Sequence, residues 1–231
     1  FFKQKTAYEI VDCDWSSDVC SSDLGSSVRV RPAVFQAMTS PADTKSALRA
    51  RLRAELKALS TEARVAASTE LCARVKSSAA WQSARALLLF FPVPSEPDIS
   101  PLLADLLAAG KLLALPRFNA ATQAYEAVRV LDLARELAEG PFKVREPVAE
   151  CPVVPMNRLD LALVPGLGFD ARGGRLGRGM GHYDRLLAGF AGLKIGVAFD
   201  GQIVPEIPRE PHDIALDAVV TPTRWIEAKR D

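Results

Sequence analysis

The chain has 231 residues, 48% of them hydrophobic and 25% charged, as in an ordinary soluble globular protein. Its 29 Lys and Arg against 28 Asp and Glu leave a net charge of +1, so nothing global draws it to nucleic acid or an anionic membrane. Four cysteines without a Cys-x-x-Cys pair, and two histidines, argue against a structural zinc site or a disulfide framework.

Residues 1–37 stand apart. Phe1 to Leu24 has no sustained amphipathic period and lacks the basic start and apolar core of a signal peptide. It reads as a non-native leader resembling a translated adapter, or else as a disordered natural extension. Met38 is the expected start of one domain spanning 38–231, a size that can bury a large core.

From there the elements follow in order. Leu48, Leu52, Leu56 and Leu59 recur at helical spacing and predict a helix over Lys45–Leu59, capped by Ser40 or Asp43. Lys45, Arg49 and Arg53 share one face of it. A second helix follows Ser60 and runs to about Ser78, with Leu71 and Val75 inward. Ala86–Phe91, the longest apolar run, is strand-sized and far too short to span a membrane. Prolines at 92, 94 and 97 break the chain. Pro101 suits the first turn of a helix ending at Gly110. Lys111–Leu115 is a strand closed by Pro116-Arg117, and Tyr125–Val130 another. Asp132–Glu139 reads as a short helix. Leu159–Val164 is a strand, Tyr183–Ala188 a helix, and Leu193–Phe199 and Ala218–Thr221 are the last strands. This alternation predicts an α/β three-layer fold, a largely parallel central sheet flanked by helices. Ligands then belong at the carboxyl ends of its strands.

The segment after Val164 sits at such an end. Pro165 to Asp184 contains seven glycines, interleaved with Arg172, Arg175 and Arg178. Glycine lets backbone N–H groups converge on an anion, and guanidinium forks match phosphate oxygens. The helix that follows adds its positive end. This is neither a Walker loop, since Met180 stands where Lys would follow Gly179, nor a dinucleotide fingerprint, since Asp184 stands where Gly181 would require Gly. Asp184 is either a carboxylate favoured in a first helical turn or a magnesium ligand beside phosphate.

The run Arg175-Leu-Gly-Arg-Gly-Met-Gly-His-Tyr-Asp184, after Pro165-Gly-Leu-Gly-Phe-Asp170, closely resembles the signature of the 5-formyltetrahydrofolate cyclo-ligase family. Lys45-x-x-x-Arg49, Ser95-Glu96, Leu115-Pro-Arg117, Arg145-Glu-Pro147, Ala198-Phe199 and Pro211-His-Asp213 resemble its shorter motifs, in order, between Lys45 and Thr221. The resemblance implies a cytoplasmic, monomeric enzyme. It would convert ATP and 5-formyltetrahydrofolate to 5,10-methenyltetrahydrofolate, ADP and phosphate with Mg²⁺, through phosphorylation of the formyl oxygen. Nucleic acid and membranes are not expected partners. The alternative is a non-catalytic folate- or nucleotide-binding relative.

Carried over by motif, Lys45, Arg49, Arg175, Leu176, Gly177, Arg178, Gly179, Met180, Gly181, His182 and Tyr183 would bind ATP. Phe91, Glu96, Arg178 and His182 would bind the folate, and Asp184 and Asp213 the magnesium. Arg178 and Tyr183 would be catalytic, Arg178 by stabilising the phosphoryl charge. The chain departs from the family at Met180, often Gly or Lys, and at His182, commonly Tyr.

Overall fold

The computed structural model of the chain describes residues 41–140 and 144–229. The expected leader, the start at Met38 and the Ser40 cap lie outside what it describes, whereas Asp43 lies inside the first helix and so is not its cap.

The first helix, α1, runs Pro41–Ala58, a turn earlier than expected. Leu52 and Leu56 are buried, whereas Leu59 lies past the helix end and is exposed. Ser60 Oγ accepts the Ala63 N–H at 3.2 Å and starts α2, Thr61–Ser77. Ser78 then caps an unforeseen short helix, α3 (Ala79–Ser83), by accepting the Trp81 N–H. Strand β1 is Ala86–Leu88. It stops short of the apolar run's end, and Phe90 and Phe91 leave the sheet. Helix α4 spans Ser100–Ala108 with Pro101 in its first turn.

β2 (Leu112–Asn119) and β3 (Ala124–Val130) form an antiparallel hairpin. β2 runs through Pro116-Arg117, where the sequence placed its end. Pairing with β1 reaches only Ala114, so the missing Pro116 N–H costs no bond to β1. The expected helix at Asp132–Glu139 does not form. Asp132 Oδ1 accepts the Ala134 and Arg135 N–H groups in a tight turn, and the chain then extends as β4, Leu137–Glu139. That strand pairs with β5, Arg145–Pro147. Only Leu137 of the three is buried, too little apolar face to hold a helix. β6 is Leu161–Pro165, and β7 (Gly168–Phe169) and β8 (Arg175–Leu176) make a small hairpin. Helix α5 spans His182–Leu187, β9 Leu193–Val197 and β10 Ala218–Val220. A last strand, β11 (Trp225–Glu227), pairs antiparallel with β10 and was not expected. Two half-buried residues and an exposed Glu227 give almost no pattern to read.

The main sheet has the order β11-β10-β9-β6-β1-β2-β3, parallel throughout except at its two edges. One face packs Leu87, Leu113, Leu163 and Val197 against α2, α3 and α4 through Leu71, Val75, Trp81 and Leu103. The other packs Leu88, Ala162, Val164 and Val219 against Phe169 and, from α5, Leu186. α1 rests on the β7–β8 hairpin through Leu52 and Leu176. The three-layer α/β expectation holds. β1 feeds β2 to one side and β6 feeds β9 to the other, so the winding reverses between neighbours β1 and β6. Such a switch point opens a crevice beyond the strands' carboxyl ends, here at Phe90-Phe91 and Pro165-Gly166.

Candidate active site

A cavity of about 270 Å³ fills that crevice. Phe90, Phe91, Leu115, Pro116 and Tyr125 give it apolar walls, and Glu96, Glu146, Arg175, Arg178 and Asp184 its charges. Few polar groups on an apolar surface suit a flat heterocycle with a polar edge.

Glu96 follows β1. Its Oε2 accepts the Val93 N–H at 3.2 Å, and its Oε1 lies 3.0 Å from Arg178 Nη2. Burial raises the Glu96 carboxyl above its ordinary value, and the charge and hydrogen bond of Arg178 oppose that rise. The same Arg178 nitrogen donates to Ser95 Oγ at 2.9 Å. So one side chain of the glycine-rich loop reaches across the cavity to the turn after β1. The loop bends on Gly179 (φ +113°) and Gly181 (φ +62°), values that side-chain-bearing residues rarely adopt.

Arg175 is committed inward. Its side chain is 5% exposed, Nη2 pairs with Asp184 Oδ1 at 2.9 Å, and its guanidinium lies 5.7 Å from the Tyr183 ring centre. Burial pushes the Tyr183 phenol well up, and the Glu96 and Glu146 charges add to this while Arg175 opposes it. Burial and then the Arg185 charge lower His182, whose ring meets Tyr125 edge-on at 5.1 Å. Met180 is exposed. Phe91 lies under the Arg145 guanidinium, 5.0 Å from its ring centre.

Lys45 and Arg49 approach the loop from the other side and do not line the cavity. Arg49 Nε donates to the Gly177 carbonyl at 3.0 Å. Lys45 is buried, its ammonium 2.7 Å from both Glu210 Oε2 and Asp213 Oδ2. Burial alone would lower the Lys45 ammonium, but its hydrogen bonds to Asp213 and Glu210 leave it raised. Burial would raise the Asp213 carboxyl, but the Lys45 hydrogen bond, the Glu210 N–H and the Lys45 charge leave it lowered. Among the described residues, Glu210, His212 and Asp213 are the group that brings potential metal-binding atoms together, within 4.8 Å of one another. Asp184 is not in it, yet its Oδ1 accepts the Ile214 N–H at 3.2 Å, so the two aspartates belong to touching segments.

Sequence reasoning missed Glu210 and Tyr125, and it named Arg145 and Glu146 within a family motif without giving either a role. Glu210 could have been found: a buried ammonium needs more than one acceptor, and Glu210 lies three residues before Asp213. Glu146 is 6% exposed and accepts the Tyr125 hydroxyl at 3.1 Å and the Phe118 N–H at 2.9 Å. Nothing local in the sequence announces that cross-sheet contact.

The family profile described as the 5-formyltetrahydrofolate cyclo-ligase family matches residues 41–222. The chain belongs to that family of enzymes. A mouse 5-formyltetrahydrofolate cyclo-ligase is 32% identical over 189 residues, covering 76% of this chain and 92% of the mouse protein. The protein of that name from Mycolicibacterium smegmatis is 39% identical over 153 residues, covering 64% and 79%. The solved structure of Aquifex aeolicus 5,10-methenyltetrahydrofolate synthetase superposes with a TM-score of 0.73 at 33% identity, over 81% of this chain and 94% of that one. A Mycoplasma pneumoniae synthetase, at 22% identity and a TM-score of 0.62, shares the fold. The cyclo-ligase profile thus spans every element from α1 to β10.

Proposed function

We propose that the chain cyclises 5-formyltetrahydrofolate to 5,10-methenyltetrahydrofolate, consuming ATP in the presence of magnesium. The observation that carries this reading is the reach of Arg178 from the glycine-rich loop to Ser95 and Glu96. One cation there serves both a phosphate-binding element and the cavity suited to a pterin.

The catalytic unit is assigned to residues 38–231, acting as a cytoplasmic monomer, with residues 1–37 outside it. Among the described residues no helix is long and apolar enough to cross a membrane. Phe91 and Leu115 would flank the pterin, and Glu96 and His182 would face its polar edge. Gly177 to Tyr183, with Leu176 behind them, would wrap the nucleotide, and Lys45 and Arg49 would meet its phosphates. Lys45 is already shared between two carboxylates, so it would meet phosphate charge from a fixed position.

Magnesium fits the donors present. It takes one or two carboxylates and completes its shell with phosphate oxygens and water. Asp184 uses only Oδ1 in its two hydrogen bonds, and Asp213 uses Oδ2 toward Lys45 and the Glu210 N–H. Each keeps a hard oxygen to offer. When bound, the ion would withdraw charge from the phosphate oxygens.

In the reaction, the formyl oxygen attacks the γ-phosphorus and ADP departs. The bridge nitrogen, N10, then attacks the activated carbon. The C–O bond breaks, phosphate leaves with the former formyl oxygen, and N10 loses its proton. Phosphorylation turns a poor leaving group into a good one. The protein's part is to hold the partners together and stabilise the moving charge, Arg178 foremost. Tyr183, its phenol kept neutral by burial, would position the substrate.

The test is absorbance of the methenyl product from protein beginning at Met38. Product should form only with both ATP and Mg²⁺. Saturable binding of both substrates without product would leave the non-catalytic reading in its place.

A further inference from the structure

Residues 204–216 contain no helix or extended strand, yet they must hold Glu210 and Asp213 at hydrogen-bonding distance from Lys45. An irregular segment cannot do this through its own backbone ladder. It is fastened at both ends to one tight turn, Asp170–Gly174, which joins β7 to β8 within the glycine-rich loop. Asp170 is 2% exposed. Its Oδ1 accepts the Arg172 N–H at 2.9 Å and the Gly174 N–H at 2.7 Å, closing the turn. Its Oδ2 accepts the Ile207 N–H at 2.9 Å, fixing the near end of the segment. The Gly173 carbonyl accepts the Leu216 N–H at 2.9 Å, fixing the far end. The Arg209 guanidinium lies 3.5 Å from Asp170 Oδ1 and also donates to the Arg172 carbonyl. A Cβ on Gly174 would stand 2.3 Å from Asp170 Oδ2, so only glycine lets the carboxylate sit so close.

We propose that Asp170 is a positioning residue for nucleotide binding: it sets the segment bearing Glu210 and Asp213 in register with the glycine-rich loop. This rests on the assignment of Lys45 and Asp213 to the nucleotide and its ion. One turn inside the loop also clamps the acidic segment, so the two sides of the phosphate site are built from a single joint. The cavity walls Phe91 and Glu96, in the segment after β1, and Tyr125, on β3, do not depend on it. Supporting residues of this kind decide whether a site is held closely enough to work.

Asp170→Asn isolates the effect. An amide has one acceptor oxygen, so either orientation sets a donor against the turn N–H groups or against the Ile207 N–H. Losing a hydrogen bond to a buried charged acceptor should raise the KM for Mg·ATP roughly tenfold or more. The KM for 5-formyltetrahydrofolate should stay within about twofold, since its walls are untouched. Arg209→Ala, at a half-exposed side chain, should move the ATP KM the same way by about two- to threefold without threatening the fold. Calorimetry with Mg·ADP should show the same weakening in both variants. If both KM values rise together, or nucleotide binding is unchanged in Arg209→Ala and in folded Asp170→Asn, the proposal fails. Should Asp170→Asn not fold, Arg209→Ala decides alone. A wild-type protein that makes no methenyl product but binds nucleotide would overturn the cyclisation reading, and the calorimetric comparison would still judge the clamp.

Discussion

Two arginines of the glycine-rich loop, Arg175 and Arg178, are held in opposite ways. Arg175 is 5% exposed and bonded to Asp184, itself 16% exposed. Arg178, three residues on, is 49% exposed and bonded to Glu96, which is 10% exposed. Lys45, at 7%, resembles Arg175. The inner cations are locked before any ligand arrives, whereas the Arg178 guanidinium stays half in water although its partner Glu96 is largely buried. In the proposed reaction the difference would divide the labour: Arg175 and Lys45 would build the site, and Arg178 would exchange Glu96 for a ligand's charge.

The comparison breaks most visibly at Arg178. Arg178→Ala should lower kcat by about 10²–10³-fold, the usual cost of removing a transition-state donor. Thermal unfolding should show a stability loss of only about 1 kcal/mol, because the buried Glu96 can take up a proton once its cation is gone. Lys45→Met should do the reverse in proportion. It leaves Glu210 and Asp213 adjacent without their cation, so stability should fall by about 2 kcal/mol in denaturant unfolding, less than for a fully buried pair because Glu210 is 40% exposed. The KM for ATP should rise by about ten- to a hundredfold.

Glu96 sharpens the contrast through pH. Its folded carboxyl is raised above the ordinary 4.5, so the folded state binds this proton more tightly than the unfolded chain does. The contribution is fully present below 4.5 and is lost as pH climbs through the raised folded value. Glu96→Gln should remove that decline, seen as a flatter melting temperature from pH 4 to 7 than the wild type gives. An unchanged slope would mean that Arg178 fully offsets the burial. The smallest effect belongs to Met180, exposed where the family often has Gly or Lys. Met180→Lys should alter stability by less than about 0.5 kcal/mol and the ATP KM by less than about threefold.

What the sequence made legible follows from how local each signal is. Leu52, Leu56, Leu71 and Val75 lie on the buried faces their spacing predicts, and Leu87–Leu88 and Leu161–Val164 are the central strands their apolar runs imply. Asp132–Glu139 misled because helix-favouring residues there face too little apolar surface, and β11 escaped because an edge strand this short has no period. At the site, the loop residues, Lys45, Glu96, Asp184 and Asp213 could all be picked out by motif. What each one holds could not. The inward turn of Arg175, the sharing of Lys45 between two carboxylates and the Asp170 clamp are long-range contacts that no spacing encodes. Glycine density pointed to anion binding, but the division between locked and half-exposed cations appears only once burial is known.

The central claim is that phosphoryl transfer to the formyl oxygen precedes ring closure in this cavity. Substrate carrying ¹⁸O in its formyl group tests it directly. Turned over with unlabelled ATP and Mg²⁺, it should release inorganic phosphate bearing one ¹⁸O atom per product formed. Unlabelled phosphate, with the heavy oxygen recovered in water, would contradict the account.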